Sequence, residues 1–310
     1  MNINDTFDIT PFRHLYPFES HFMEVGGHRL HYLDEGAGPP VVMLHGNPTW
    51  SFYYRSLVNG LCGGYRTLVP DHIGCGLSEK PAPDRYDYRL ESRVSDLTAF
   101  LDRLEPDRPL TLILHDWGGM IGMAWAVNHP QRVARIVLFN TAAFPPPAGK
   151  KIPRRLFLIR SGPSVLTKLL VLGLNAFARG ALFMAPKKPL PPDVRTGLLA
   201  PYNSWKNRWA TLRFVQDIPL TAGDPGFDIL SSTADQLGRL ADKPMLICWA
   251  MNDFVFDADY LAEWHRRFPG AEVHRFDEAG HYLLEDEPSA VLQRALAFLQ
   301  RTESADMTTS

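Results

Sequence analysis

Residues Leu110 to Gly119, LTLILHDWGG, constrain this chain more than any other stretch. Leu110, Thr111, Leu112, Ile113 and Leu114 form a short apolar run, the pattern of a strand covered on both faces. His115 and Asp116 follow at once, then Trp117, Gly118 and Gly119, then a helix-forming segment from Met120 to Val127. A strand with a polar residue at its tip, a glycine two positions later and a helix behind it presents that residue at a sharp turn, as in a nucleophile elbow. Only half of that signature is present: the residue two before Asp116 is Leu114, where a glycine usually stands, and the tip carries a carboxylate rather than a hydroxyl or thiol. Taken alone, the stretch fits equally well an ordinary strand-to-helix turn with an Asp N-cap.

The surrounding pattern discriminates. His21 to Val25 and His28 to Asp34 alternate in polarity around Gly26-Gly27, which predicts a hairpin. Pro40 to Leu44 reads as a buried strand running into His45-Gly46-Asn47-Pro48, with a helix from about Thr49 to Leu61. Tyr65 to Pro70 is the next strand and ends at Asp71, before the glycine-rich loop HIGCGLSEKP. Leu90 to Leu104 has helical periodicity. After the Asp116 turn, Arg135 to Phe139 is a strand ending in Asn140-Thr141. Strands alternating with helices over short loops predict an α/β fold with a mostly parallel, doubly wound sheet.

The alternation stops at Ala143. From there to about Arg239 the chain is proline-rich and helical in flavour, the expected form of a helical cap inserted over the C-terminal edge of the sheet. Its basic run, Lys150, Lys151, Arg154 and Arg155, reads as a solvated helix start. The sheet resumes at Pro244 to Ala250, followed by a loop with Asn252 and Asp253, a helix over Tyr260 to Phe268, a strand over Glu272 to Phe276 and a loop with Gly280-His281. Pro288 to Gln300 is an amphipathic helix. The last ten residues read as a frayed tail, and the first twenty as an arm. The expected division is a core of residues 1–142 and 240–310, with the cap at 143–239.

Charge and cysteine usage narrow the function classes. A net charge of -2 over 310 residues gives no polyelectrolyte argument, so nucleic-acid binding has no support. Cys62, Cys75 and Cys248 are scattered, with no CxxC pair and no histidine at ligand spacing. Neither a disulfide framework nor a metal site is expected, and a reducing, cytoplasmic setting fits. The N-terminal residues are polar and acidic, unlike a signal peptide. No stretch reaches the ~20 apolar residues that a membrane span needs. The nearest, Ser164 to Ala185, is interrupted by Lys168, Asn175 and Arg179 and reads as a helix buried in the protein or lying against lipid.

Ligands of open α/β sheets bind beyond the carboxyl ends of the strands. Asn47, Asp116, Trp117, Asp253 and His281 all fall at such ends. Three of them follow the chain order nucleophile, acid, histidine, the order of the α/β-hydrolase fold. A carboxylate nucleophile suits attack at a saturated carbon, because the alkyl ester formed can be resolved later. Asp116 is the candidate nucleophile and His281 the candidate histidine. Asp253 is the preferred orienting acid, since the loop after Arg135 to Phe139 offers only Asn140 and Thr141. Asp257 is the competing acid, and Glu285 lies further along. The backbone N–H groups of Asn47 and Trp117 are candidates for an oxyanion hole. His45 and His115 read as supports, and Asp71 and His72 as anchors of the HIGCGL loop. Trp50 and Trp205 fit either a pocket lining or plain core. A binding module would need this triad to be vestigial, and no member is missing.

The segments HGNPTW, HDWGG, DFVFD and GHYLLED resemble those of the haloalkane dehalogenases. Within that group, VPDHIGCGLSEKP, HDWGGMIG, FNTAAFP, APYNSWKNR, RFVQDIPL and DFVFD are similar to the β-lactone decarboxylases of long-chain olefin biosynthesis. The resemblance covers nearly the whole chain, least securely the cap. It implies a cis-β-lactone decarboxylase that releases a cis olefin and carbon dioxide. The alternative is a haloalkane dehalogenase, in which the side chains of Asn47 and Trp117 also grip the halide. A generic ester or epoxide hydrolase ranks behind; an epoxide hydrolase would want two cap tyrosines, of which Tyr202 is one candidate. The resemblance further implies no cofactor, a small hydrophobic substrate (a dialkyl β-lactone or a haloalkane) and association with other enzymes of the olefin pathway.

Overall fold

The computed structural model describes residues 7–105, 108–150, 160 and 165–309. Eight strands form one sheet: β1 His21–Val25, β2 His28–Glu35, β3 Pro40–Leu44, β4 Arg66–Pro70, β5 Leu110–His115, β6 Val133–Phe139, β7 Met245–Ala250 and β8 Glu272–Phe276. Their order is β1-β2-β4-β3-β5-β6-β7-β8. The β1–β2 and β2–β4 pairings are antiparallel and the other five are parallel. The β1–β2 turn uses Gly26 and Gly27 at φ 55° and 78°, a conformation that tight hairpins need and that side chains disfavour.

β3, β5 and β7 are buried along their whole length and β6 in all but Ala134, and successive residues feed opposite layers. Val42, Leu44, Leu112, Leu114, Ile136 and Leu138 join one hydrophobic cluster. Val41, Met43, Ile113, Val137 and Phe139 join the other. This period of two is why the sequence shows unbroken apolar runs there. The first cluster is covered by the helices Leu90–Leu104 and Trp117–Asn128. The second is covered by Arg55–Leu61 and Pro288–Thr309.

One expectation, the frayed tail, needs correction, and two open readings, of the arm and of Trp50, are decided. The N-terminal arm is packed: Phe7, Phe12 and Tyr16 close around Trp50 and Phe52 at ring separations of 5.1–6.2 Å. Trp50 is therefore core, with its indole N–H donating to the Gly197 carbonyl. The tail is not frayed, since the last helix runs on to Thr309. No glycine or proline stops it, and its first extra turn is tied down. There the Arg135 guanidinium donates to Thr302 and the Tyr65 hydroxyl to Glu303.

Between β6 and β7 the described residues form helical segments at Val165–Gly173, Ala176–Met184, Pro192–Leu199, Trp209–Gln216 and Phe227–Gln236. Lys151, Arg154 and Arg155 of the basic run lie outside the described residues. Lys150 pairs with Asp257 and Asp259 rather than standing free in solvent.

The turn after β5 rests on two close approaches. A Cβ on Gly118 would stand 1.9 Å from the Leu44 carbonyl oxygen, and one on Gly119 1.8 Å from the Thr141 hydroxyl. Leu114 fills the place where the elbow pattern usually has glycine. Room for it comes from Gly122, whose added Cβ would meet Leu114 at 2.5 Å. Replacing Gly118 by Ala must push backbone away from backbone. We expect Gly118→Ala to lower stability by about 3 kcal/mol or more in urea unfolding, whereas Gly63→Ala, in open space, stays within about 0.5 kcal/mol. Equal midpoints for the two variants would overturn this account of the turn.

Candidate active site

Asp116 sits at the tip of β5 with φ 51° and ψ −126°, a conformation that ordinary side chains rarely adopt. Backbone held in such a region costs on the order of 1–3 kcal/mol. Its neighbours hold it there: the Asp116 N–H donates to the Asn140 carbonyl, and its own carbonyl accepts from Gly119 N–H and the Thr141 hydroxyl. The carboxylate is thereby aimed across the sheet edge. Its Oδ1 accepts the Asn47 backbone N–H at 2.8 Å, and Oδ2 lies 3.5 Å from His281 Nε2. Gly46 is required for this approach, since a Cβ there would stand 2.0 Å from Asp116 Oδ1.

His281 reaches the site on the loop after β8. Its Nδ1–H donates to Asp253 Oδ2 at 2.7 Å, which leaves Nε2 to face Asp116. The other Asp253 oxygen accepts the N–H groups of Val255 and Phe256. Asp257 is engaged elsewhere: it caps the Ala258–Arg267 helix and pairs with Lys150. Glu285 is held by Arg55 through two 2.6 Å bonds. Of the three carboxylates considered from sequence, Asp253 is the one that meets His281.

All three members of the constellation are buried. Burial raises the Asp116 carboxyl, against the opposing pull of His281 and of the Asn47 and Trp117 backbone N–H groups. Burial also disfavours the charged imidazole of His281, but Asp253 and Asp116 outweigh it and raise its pKa. Phe256 stacks near the His281 ring at 6.1 Å, and Phe214 packs on Trp117 at 5.1 Å, so the charges sit among aromatic faces.

The structure adds a tie at Asn47. Its side-chain amide donates to the Thr211 carbonyl at 3.1 Å, while its Oδ1 is buried without a partner. One N–H of that amide is thus committed to the insertion between β6 and β7. Tyr202 is buried, and its hydroxyl donates to the Thr49 carbonyl at 3.4 Å. Trp205 is exposed.

Two supports escaped the sequence reading. Asn140 clamps β6 to β7, exchanging hydrogen bonds with both backbone groups of Ala250, and also donates to Phe256 in the Asp253 loop. Asp286 accepts the N–H groups of Gly280, Lys187 and Lys188, which pins the histidine loop to the insertion. Both are polar residues at strand or loop ends, a signal too common to single them out.

His45 and His115 sit where supports are needed. Burial lowers the pKa of His45 to about 4, and its hydrogen bonds suit a neutral ring: Nδ1–H donates to the Gly46 carbonyl and Nε2 accepts the His72 N–H. The His115 ring donates to the His281 carbonyl, and burial holds it neutral.

A family model described as the alpha/beta hydrolase fold matches residues 39–288. The chain belongs to the alpha/beta hydrolase fold family. It is 47% identical over 291 residues to a cis-3-alkyl-4-alkyloxetan-2-one decarboxylase of Shewanella oneidensis, covering 94% of this chain and 91% of that one. It is 33% identical over 298 residues to haloalkane dehalogenase 2 of Mycobacterium bovis, covering 95% and 98%. A haloalkane dehalogenase loop variant from Bradyrhizobium elkanii shares its fold, with a TM-score of 0.84 and 24% identity over 94% of this chain and all of that one. Against the usual elbow pattern of that fold, this chain carries an aspartate at the tip and Leu114 two positions before it, where a glycine usually stands.

Asp71 anchors the loop that delivers Asn47. Its carboxylate accepts Ser51 N–H at 2.7 Å, Leu77 N–H at 2.8 Å and the His31 ring at 2.7 Å. Burial pushes this carboxyl up, but His31, His45 and the Ser51 N–H together hold it well below the usual carboxylate range. A depressed native pKa contributes stability above the unfolded carboxylate pKa of about 4, and that stability is lost as pH falls through the native value. Asp71→Asn is expected to cost about 3 kcal/mol at neutral pH, with a flatter acid limb of stability against pH than wild type. Unchanged acid sensitivity in chemical-denaturation curves would remove Asp71 from this role.

Proposed function

We propose that this chain is a cis-β-lactone decarboxylase that converts a cis-3,4-dialkyl-oxetan-2-one into a cis alkene and carbon dioxide. The observation that carries the reading is its 47% identity, over nearly the full length of both chains, to a protein named for that activity, against 33% to a haloalkane dehalogenase. The helical insertion serves as the cap. The substrate is small and hydrophobic, in keeping with the aromatic faces around His281 and Trp117.

In this reading Asp116 is the nucleophile. Its Oδ1 remains in the hole formed by the Asn47 and Trp117 N–H groups, and Oδ2 attacks the ring carbon that bears oxygen. The carbon–oxygen bond breaks with inversion, and its electron pair leaves on the released β-carboxylate. The bond from the neighbouring carbon to that carboxylate then breaks. Its electrons form the alkene, carbon dioxide departs, and the Asp116 carboxylate is expelled intact. Inversion followed by anti elimination preserves the cis relation. Atoms balance without water. Protonated His281, held by Asp253, stabilises the negative charge that returns to Asp116.

A second reading is hydrolytic dehalogenation. The intact His281–Asp253 pair favours it, since it could activate water against an alkyl ester of Asp116. The two differ in where solvent oxygen goes. After many turnovers in heavy-oxygen water, digestion and mass spectrometry should find the Asp116 peptide unlabelled, with cis alkene formed from the lactone. Label in Asp116, bromide released from bromoalkanes and no alkene would assign the chain to dehalogenation instead.

The orienting acid is tested separately. Asp253→Asn should slow lactone turnover about a thousandfold or more, because His281 loses its charged partner. Asp257→Asn should leave the rate near wild type and lower only thermal stability. A crippled Asp257→Asn beside an active Asp253→Asn would reverse the assignment.

A further inference from the structure

The insertion carries a surface that the chemistry above does not use. Val165, Leu166, Leu169 and Leu170 recur on one stripe of the Val165–Gly173 segment, and all are exposed. Leu174 follows at the bend, and Phe183 and Met184 end the next helix, also exposed. Val165 shows 75% of its surface and Phe183 72%, so these are not rim residues of a core. The opposite side is anchored: Val171 and Leu172 pack on Leu212. Trp205, exposed, lies against Gly173 at the edge of the stripe.

Charge around this face is one-sided. The described stretch from Val165 to Pro192 carries Lys168, Arg179, Lys187 and Lys188 and no aspartate or glutamate. Within the face, Lys168, Arg179 and Lys206 have no ion-pair partner among the described residues. Apolar side chains fringed by basic ones, with a tryptophan at the boundary, match the interface of an anionic bilayer.

Geometry decides between spanning and lying flat. The segments Val165–Gly173 and Ala176–Met184 are apolar enough together to pass as a span, but they meet at 66°. Asn175, in the left-handed conformation at φ 55°, makes the bend, and its amide donates to the Tyr202 carbonyl. Each arm, nine residues long, reaches only about 13 Å, against a hydrocarbon core of about 30 Å.

We propose that this face docks the enzyme on an anionic lipid bilayer, with both arms lying in the headgroup boundary. A protein partner would have to meet the same surface with acidic residues around an apolar centre. A second copy of this chain would set like charges against each other at the basic fringe. The proposal does not depend on the substrate assigned above, because vesicle binding and turnover are read independently.

Flotation with phosphatidylcholine vesicles containing phosphatidylglycerol tests it, using the full chain. Wild type should float with these vesicles, weakly with pure phosphatidylcholine, and less as salt rises. The pair Leu166→Glu and Leu174→Glu, and separately the pair Lys168→Glu and Arg179→Glu, should each reduce flotation about tenfold or more while keeping the wild-type melting profile. No flotation of wild type would overturn the proposal, as would variants that float undiminished. So would a lipid-free dimer or larger assembly that both pairs dissolve, since the face would then be covered by protein.

Discussion

The site depends on one strained turn. Asp116 adopts a positive φ between β5 and its helix, and the surroundings over-determine that conformation. Asn140 and Thr141 hold its backbone on one side, Gly119 on the other, and Gly118 lets the helix start press against the Leu44 carbonyl. A relaxed turn would leave the carboxylate on the helix as an N-cap, facing its own amides. The strained one turns it outward, where Asn47 N–H and His281 can reach it. The strain is a small term beside the packing of β3, β5 and β6 that enforces it.

Around this turn the structure solves an electrostatic problem. Two carboxylates and an imidazole are buried within a few ångströms of one another, and an isolated charge there would be costly. Asp253 is satisfied by two backbone N–H groups and His281. Asp116 has one oxygen satisfied by backbone and one facing the imidazole. Oδ2, facing the imidazole at 3.5 Å, is the less satisfied of the two. The same logic recurs one layer away, where Asp71 collects N–H groups from two loops and fixes the approach of Asn47.

The insertion between β6 and β7 is bound into the site rather than resting on it. Thr211 takes the Asn47 amide, Phe214 covers Trp117, and Lys187 and Lys188 offer their N–H groups to Asp286 behind the histidine loop. A shift in these helices therefore changes the hole, the aromatic wall and the histidine together.

Much of this was legible in the chain, and the boundary has a physical cause. Strand runs, the Gly26-Gly27 hairpin, the glycines after Asp116 and the order Asp116, Asp253, His281 are local patterns, set by side-chain period and turn conformation, so they can be read without coordinates. Local reading failed where distant segments decide. The arm of Phe7, Phe12 and Tyr16 is ordered by Trp50 and Phe52, and the final helix is extended by bonds to Arg135 and Tyr65. The preference for Asp253 over Asp257 came from the sequence, and the tertiary structure supplies its reason: Asp253 meets His281 while Lys150 occupies Asp257. Tertiary structure alone tied the Asn47 amide to Thr211 and left Val165 to Leu174 facing outward. Each of these outcomes turns on which residues become neighbours across tens to hundreds of positions of sequence or on which side of a helix finds a core, and neither is a property of any short stretch.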